Sequence, residues 1–452
     1  MTSDKLFAGI RVTAVKADMR RTLRIGLPLI GAQLLQMGNG LVDTIVAGRI
    51  GKLELAAGGI GASLWFISSV LCIGLMAGLS PTLSRLIGQH RRVFVGQVFR
   101  QGIWLALFTG LLALSALLVI RHVVQIFPLQ LELIPLIRHY LAGAIWSLPF
   151  FALVMAARNL CEATGLTRPV LLVTAMGLLV NALGSYSLGL GMFGLPALGL
   201  LGIGIATSAV NVFMALVLFL LLLGKRFRRF GLFVKLERPQ WHYIGPMLTL
   251  SIPIFLALLF ESGLFVATSV QMGAIGIVES GAHQIAMSAS AFCYMLPLGM
   301  SFAITARVGR AAGRQSTSSI RLRILSGCLL TIIMACLTAL VLIVFRFTIA
   351  GVYSNDQELI HFAATLLLLA AVFQLSDGAQ VMLIGALRGL HDTHVPMLIN
   401  AFSYWVVAFG FGVFAAHVLE LGAVGLWLGL IIGLSVASLL LGLRLRWKLR
   451  TL

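Results

Sequence analysis

The chain has 452 residues, 60% of them hydrophobic and 10% charged, with a mean hydropathy of +1.03. Those values exclude a soluble globular protein and imply many transmembrane helices. The formal net charge of +19 does not imply a nucleic-acid partner, because the basic residues lie between apolar stretches rather than in one patch or run.

In chain order, the first 24 residues are basic but lack a long apolar core with a small-residue cleavage site, so no cleaved signal peptide is expected. Apolar spans follow near 25–48, 54–80, 98–120, 134–157, 169–190 and 198–223. A basic linker, 224–241, carries Lys225, Arg226, Arg228, Arg229, Lys235 and Arg238. Six more spans are expected near 244–272, 279–305, 323–345, 358–386, 395–417 and 422–443. They are long for a bilayer, which implies tilt or bending. Pro28, Pro149, Pro253 and Pro297 fall in or near spans, and each removes a backbone hydrogen bond. With the N-terminus in the cytoplasm, only Arg49, Lys52, Arg121, Arg138 and Arg346 of the 33 basic residues fall on the outer side. That bias puts both termini inside and supports an even number of spans. The cysteines are odd in number, mostly within spans, and show neither a disulfide framework nor zinc spacing.

The chain repeats itself at an offset of 225, which matches Pro28 with Pro253, Gly48 with Gly273, Gly51 with Gly276, Glu54 with Glu279, Arg85 with Arg310 and Gly88 with Gly313. Arg158 to Pro169 echoes Arg388 to Pro396 more weakly. Six spans per half give both halves the same orientation, a parallel repeat about an axis along the membrane normal. The expected fold is an all-α membrane protein of twelve transmembrane helices in two six-helix lobes related by a pseudo-two-fold. The N-terminal lobe is 1–240, including most of the linker, and the C-terminal lobe is 241–452; between them a central cleft is expected.

Three of the fourteen acidic residues, Asp43, Glu261 and Asp377, sit inside spans. An ionised carboxylate at mid-bilayer costs roughly 2.5–3.5 kcal/mol on insertion scales, so it survives facing a cavity or a partner. No Lys or Arg is read deep in a span, so the expected partners are protons, metal cations or cationic solutes. Low dielectric penalises an ionised carboxyl, which suits it to carry a proton; once ionised it attracts cations. In the repeat Thr268 takes the slot of Asp43, Gln36 that of Glu261, and the stretch Ser147 to Phe150 lies opposite Asp377. Two of the three acids therefore belong to the second lobe, where the coupling site is expected. Supporting polar residues are Gln33, Gln36 and Asn39 beside Asp43; Asn181 and Ser185 on one helix face; and Gln271, His283, Gln284, Gln374 and Gln380. For each singly, helix–helix hydrogen bonding is the better-supported role. Trp65, Phe66, Phe260, Phe265, Phe292 and Met295 are candidate cavity-lining groups, though lipid or core packing explains any one of them.

His391-Asp-Thr-His394 has the look of a metal pair but precedes Pro396 on an inner loop, which favours a turn. There is no phosphate-binding loop and no Ser/His/Asp set, so neither direct ATP drive nor an enzyme is expected, and no cofactor is called for. The basic inner loops read as topology signals that also contact lipid headgroups.

Ala32-Gln33 with Gly40-Leu-Val-Asp-Thr-Ile-Val-Ala-Gly48, Arg158-Asn-Leu-Cys-Glu162, Phe260-Glu261, Gly281-Ala-His-Gln-Ile-Ala286, Met295-Leu-Pro-Leu298, Arg307-Val-Gly309, and Ser376-Asp377 with Leu387-Arg-Gly389 resemble the multidrug and toxic compound extrusion (MATE) family, in its bacterial NorM-like branch. The resemblance spans nearly the whole chain. It implies a two-lobed, twelve-helix antiporter that exports organic cations in exchange for H+ or Na+, with its functional acids at Asp43, Glu261 and Asp377; an inner-membrane location and a monomer are expected beside it. It also implies a Na+ site at Glu261 and Asp377. Two departures thin the polar set: Phe373, where relatives often carry Tyr, and Ser185, where they often carry a second Asn. Both favour protons over Na+. The rivals are a lipid-linked precursor flippase of similar architecture, whose anionic cargo calls for basic residues deep in the cleft, and a channel or non-transporting scaffold.

Overall fold

The computed structural model describes residues 11–126, 130–192, 194–235 and 237–451. The first ten residues of the basic N-terminal tail lie outside the described residues. Among the described residues every long apolar stretch is helical, as a bilayer without water to satisfy backbone groups requires. In order these are α1 (Val12–Ile50), α2 (Lys52–Met76), α3 (Leu79–Gly88), α4 (Arg92–Val123), α5 (Leu133–Ala144), α6 (Ser147–Thr164), α7 (Arg168–Gly184), α8 (Leu200–Leu222) and the short α9 (Lys225–Arg228). The second half holds α10 (Trp241–Ile275), α11 (Ile277–Gly313), α12 (Thr317–Val344), the short α13 (Arg346–Tyr353), α14 (Gln357–Gly389), α15 (His394–Ala401), α16 (Phe411–His417) and α17 (Gly422–Arg450). A π-helical turn, Ser185–Gly189, extends α7, and a longer one, Phe402–Gly410, joins α15 to α16.

Eleven of these segments are long and apolar enough to cross a membrane, and α5 with α6 makes a twelfth, bent by 45°. The bend has a cause: Pro149 cannot donate to the carbonyl of Ile145, so the helix breaks one turn before the ring. The corresponding α14 carries no proline and runs unbroken for 33 residues.

The repeat is written into the backbone. Gly51 and Gly276 cap equivalent helix starts with nearly identical extended φ angles, 176° and 177°. His90 and Gln315, then Gly165 and His391, take the left-handed conformation at equivalent helix ends. Gly165 donates to Glu162 O and Leu166 to Cys161 O, while His391 donates to Arg388 O and Asp392 to Leu387 O. The slot of Arg388 is thus Glu162, and that of Arg158 is Ile384, which shifts the weak sequence echo by one helical turn.

By contact the chain forms two compact units, Gly31–Phe255, and Leu256–Leu452 with the described residues up to Ile30. In both α1 and α10 the change of unit comes two residues after a proline, Pro28 and Pro253. The first unit's core includes Phe99, Leu148 and Ile137, all fully buried. There α5 and α8 touch backbone to backbone: a Cβ on Gly143 would meet Leu201 O at 2.6 Å, and Ser208 Oγ donates to Gly143 O at 2.6 Å. The linker after α9 is pinned to α4 by Arg100–Glu237 (2.6 Å) and by Trp104 Nε1 donating to Glu237 O (2.8 Å). The second unit's core centres on Trp427, Tyr404 and Phe373.

Candidate functional site

Within the unit Gly31–Phe255, Asp43 on α1 is half-buried and meets two other helices. Asn181 Nδ2 on α7 donates to Oδ1 at 3.1 Å, and Ser185 Oγ, which opens the π-helical turn, donates to the same oxygen at 3.0 Å. Asn181 and Ser185 lie one turn apart and so face the same way. Thr207 Oγ1 on α8 reaches Oδ2 at 3.5 Å. Tyr140 on α5 is buried and lies within electrostatic reach of Asp43. The sequence reading found Asn181 and Ser185 and missed Thr207 and Tyr140. A threonine and a tyrosine in apolar spans carry little signal until the packing of α5 against α8 brings them together.

Gln33 and Gln36 do not join Asp43. They accept from Arg158 on α6, Nη2 to Gln33 Oε1 at 2.6 Å and Nη1 to Gln36 Oε1 at 3.5 Å. The same guanidinium pairs with Glu162 at 2.9 Å, one turn along its own helix. Asn39 Oδ1 and Asn181 Oδ1 are buried acceptors with no donor among the described residues.

In the other unit, Glu261 on α10 is half-buried and Asp377 on α14 is buried. The two carboxylates interact electrostatically, and both act on the phenols of Tyr294 and Tyr404. Gln380 Nε2 donates to the Tyr404 hydroxyl and approaches Asn400 Oδ1 at 3.5 Å. Arg388, three turns along α14 from Asp377 on the same face, acts on Glu261 and on both phenols. Gln374 is elsewhere: its Nε2 donates to Ser290 O at 2.8 Å, tying α14 to α11. Gln284 is exposed, while its neighbour His283 is buried with Nε2 3.0 Å from Ser269 Oγ. Phe373 brings no oxygen to the cluster; its ring packs edge-on against Phe265 and Trp427 at 6.4 and 5.9 Å.

One expectation needs correction. Arg158, Arg307 and Arg388 stand just past the expected spans, towards the C-terminal ends of α6, α11 and α14, and Arg158 and Arg307 are buried there in packed structure. Arg307 Nη2 meets Asp18 Oδ1 at 2.6 Å, its Nη1 meets Asp18 Oδ2 at 3.1 Å and also donates to Thr22 Oγ1, and Ser326 Oγ donates to Asp18 Oδ2 at 2.5 Å. Asp18 and Glu162, read as lying in a tail and at a span end, are in fact buried. The cause is common to all: hydropathy marks where a segment is apolar, whereas α1, α11 and α14 continue past that limit and carry charged residues into packed structure.

The other candidates have ordinary places. Trp65 Nε1 donates to Ser147 Oγ at 2.7 Å and its ring packs on Phe151, while Phe66 and Phe292 are exposed. His391-Asp-Thr-His394 turns the chain between α14 and α15, with Asp392 bound by Arg444 at 2.8 Å.

A model of the MatE family matches residues 28–187 and 253–414, which include all three intramembrane acids. The chain belongs to the MatE family. It is 37% identical to the probable multidrug resistance protein NorM of Xanthomonas campestris over 438 residues, 96% of this chain and 95% of that one. Identity to the multidrug resistance protein MdtK of Yersinia pseudotuberculosis is 35% over 443 residues, covering 95% of each. Among crystal structures, the Vibrio cholerae MATE transporter VcmN in its bent form superposes with a TM-score of 0.83 at 19% identity, covering 97% of this chain and 98% of that one. The eukaryotic MATE transporter AtDTX14 gives 0.87 at 17%, covering 96% of each. The expected all-helical, multi-pass MatE fold is therefore what this chain adopts.

Proposed function

We propose that this MatE protein is a secondary antiporter of a bacterial inner membrane, with both termini cytoplasmic, that exports cationic amphipathic drugs in exchange for protons by alternating access. Its relatives are named as multidrug resistance proteins. The observation that carries the reading is that Glu261 and the buried Asp377 lie on apolar helices long enough to span a membrane, in a unit where Gln380, Asn400 and Tyr404 supply amide and phenol groups suited to hold a cation. Ionised, the pair attracts a cationic drug; a proton arriving from outside neutralises it and weakens that hold. Such a switch works only if the ligands bind the two conformations differently. The membrane potential contributes about 2.3 kcal/mol per charge per 100 mV. Asp43 with Asn181, Ser185 and Thr207 forms a second protonatable centre in the other unit.

Protons are favoured over Na+ because Phe373 withholds an oxygen and Ser185 replaces a longer amide donor. A flippase reading gains little from the buried arginines. Arg158 and Arg307 are each ion-paired with a carboxylate, so neither leaves a free positive field for anionic cargo. The test is dye efflux from proteoliposomes under an imposed pH gradient and, separately, an imposed Na+ gradient. Efflux under the pH gradient supports the proposal, a response to Na+ alone overturns the coupling ion, and no efflux under either overturns antiport.

A further inference from the structure

The linker between α8 and α10 is not a free tether. Both helices are long and apolar enough to cross a membrane, so the segment joining them lies at one membrane face. Gln97, Arg100, Gln101 and Trp104, on one face of α4, hold it along its length. Arg100 Nη1 donates to Gly231 O at 2.6 Å, and its Nη2 meets Glu237 Oε1 at 2.6 Å. Gln101 Nε2 donates to Arg238 O at 3.0 Å, and its Oε1 accepts from Gln240 N at 2.8 Å. Trp104 Nε1 donates to Glu237 O at 2.8 Å, and the Tyr243 hydroxyl donates to Gln97 Oε1 at 3.2 Å. Phe227, Phe230 and Leu232 are buried in the core of the unit, and Gly96 leaves no room for a side chain beside Phe230 O.

This fixing puts charge on display. In Lys225-Arg-Phe-Arg-Arg-Phe230 the two phenylalanines, three residues apart, turn into the core, and Lys225, Arg226, Arg228 and Arg229 are left exposed on the outer face. None of the four forms an ion pair among the described residues, and the single acid of the linker, Glu237, is taken by Arg100. The same strap carries apolar side chains in the open: Val234 is 83% exposed, and Trp241 at the start of α10 is 74% exposed. A signal that only sets topology needs charge counted along the chain. It needs neither a strap locked to a helix nor bare apolar groups on the same strap.

We propose that this strap is a dock for anionic phospholipid, in which Lys225, Arg226, Arg228 and Arg229 take headgroup phosphates while Val234 and Trp241 meet the glycerol backbones and upper acyl chains. The guanidinium is a planar fork matched to phosphate oxygens. Tryptophan favours the headgroup level of a bilayer, with its ring towards the apolar side. Charge alone would suit any polyanion; exposed apolar groups at the ends of two spans commit the surface to a lipid. The dock requires only that α8 and α10 cross the bilayer, and it is independent of the transport mechanism proposed above.

The test is native mass spectrometry of the full-length protein in nonionic detergent, with dioleoyl phosphatidylglycerol and dioleoyl phosphatidylcholine added at equal concentration. The wild type should retain phosphatidylglycerol in preference. Two double variants, Lys225→Gln with Arg226→Gln and Arg228→Gln with Arg229→Gln, each leave two of the cations in place for membrane insertion. Each should weaken phosphatidylglycerol binding about 25-fold, at about fivefold per cation, and leave phosphatidylcholine binding unchanged. Arg228→Lys with Arg229→Lys keeps the charge and should keep the preference. Lys448→Gln with Arg450→Gln removes as much charge from the end of α17 and should change the preference far less; an equal loss there would make the preference a matter of net charge and overturn the dock. A wild type without preference, or an unchanged preference in both Gln double variants, also overturns it. Displacement of the bound lipid by excess glycerol 3-phosphate would make the site one for a free phosphate and overturn the assignment to lipid.

Discussion

The two units solve one problem in two ways. In Gly31–Phe255 a single acid, Asp43, is surrounded by neutral donors, Asn181, Ser185 and Thr207, and the nearby guanidinium of Arg158 is satisfied by its own Glu162. In the other unit two acids, Glu261 and Asp377, stand within electrostatic reach of each other and of the phenols of Tyr294 and Tyr404. The slot of Glu261 is a glutamine in the first unit, and the slot of Asp377 is Phe151, a buried ring in the aromatic core. Duplicated scaffolds have therefore diverged in charge while keeping their backbone landmarks. A self-contained acid held by neutral donors suits a proton; a pair of acids suits exchange of one cation for another.

That contrast can be broken from its strong end first. Glu261→Gln and Asp377→Asn should each abolish gradient-driven dye efflux, a loss of about a hundredfold or more in initial rate from proteoliposomes, since each removes a charge from a desolvated site. Full efflux in both variants would remove the second unit from the transport site. Asp43→Asn should slow efflux less than either, by about tenfold, while leaving equilibrium dye binding near wild type; a reversed order would exchange the roles of the two units.

A purely structural ion pair calibrates these effects. Asp18→Asn strands the buried guanidinium of Arg307 and should cost about 3–5 kcal/mol of stability, seen as a lower thermal midpoint in detergent. Joint replacement of Asp18 and Arg307 by Leu and Met should recover most of that loss, because a well-packed apolar pair substitutes for a buried salt bridge at little net cost. The smallest expected effects come from the donors around Asp43. Ser185→Ala, which removes a 3.0 Å bond to a carboxylate, should cost about 1–3 kcal/mol of stability, and Thr207→Val, which removes one at 3.5 Å, should cost less. An equal or larger loss in Thr207→Val would place that hydroxyl closer to Asp43 than its geometry implies.

Much of this architecture was legible in the residues. Apolar runs gave the spans, the constant offset gave the repeat, and the rarity of acids within apolar runs singled out Asp43, Glu261 and Asp377. What escaped was whatever depends on three-dimensional neighbours. Gln33 and Gln36 share a helix with Asp43, so sequence grouped them with it, yet they serve Arg158 on another helix. Tyr140, Thr207, Tyr294 and Tyr404 are polar atoms on otherwise apolar surfaces, and nothing in their local sequence says which way they point. The echo of Arg158 in Arg388 was wrong by one turn, since the backbone register puts Glu162 in the slot of Arg388 and Ile384 in that of Arg158. The short insertions that separate the later repeat elements hide such a shift until backbone landmarks such as Gly165 and His391 fix the register.

The central claim is that Glu261 and Asp377 exchange a driving ion for a cationic drug at one place. It is tested most directly by titrating ethidium into the detergent-purified protein in a weakly buffered solution and counting protons released per dye bound. The account expects close to one proton released by the wild type near the pH where the pair is half protonated, and almost none by Glu261→Gln or Asp377→Asn. Tight dye binding with no proton release, unaffected by either substitution and by added Na+, would contradict it.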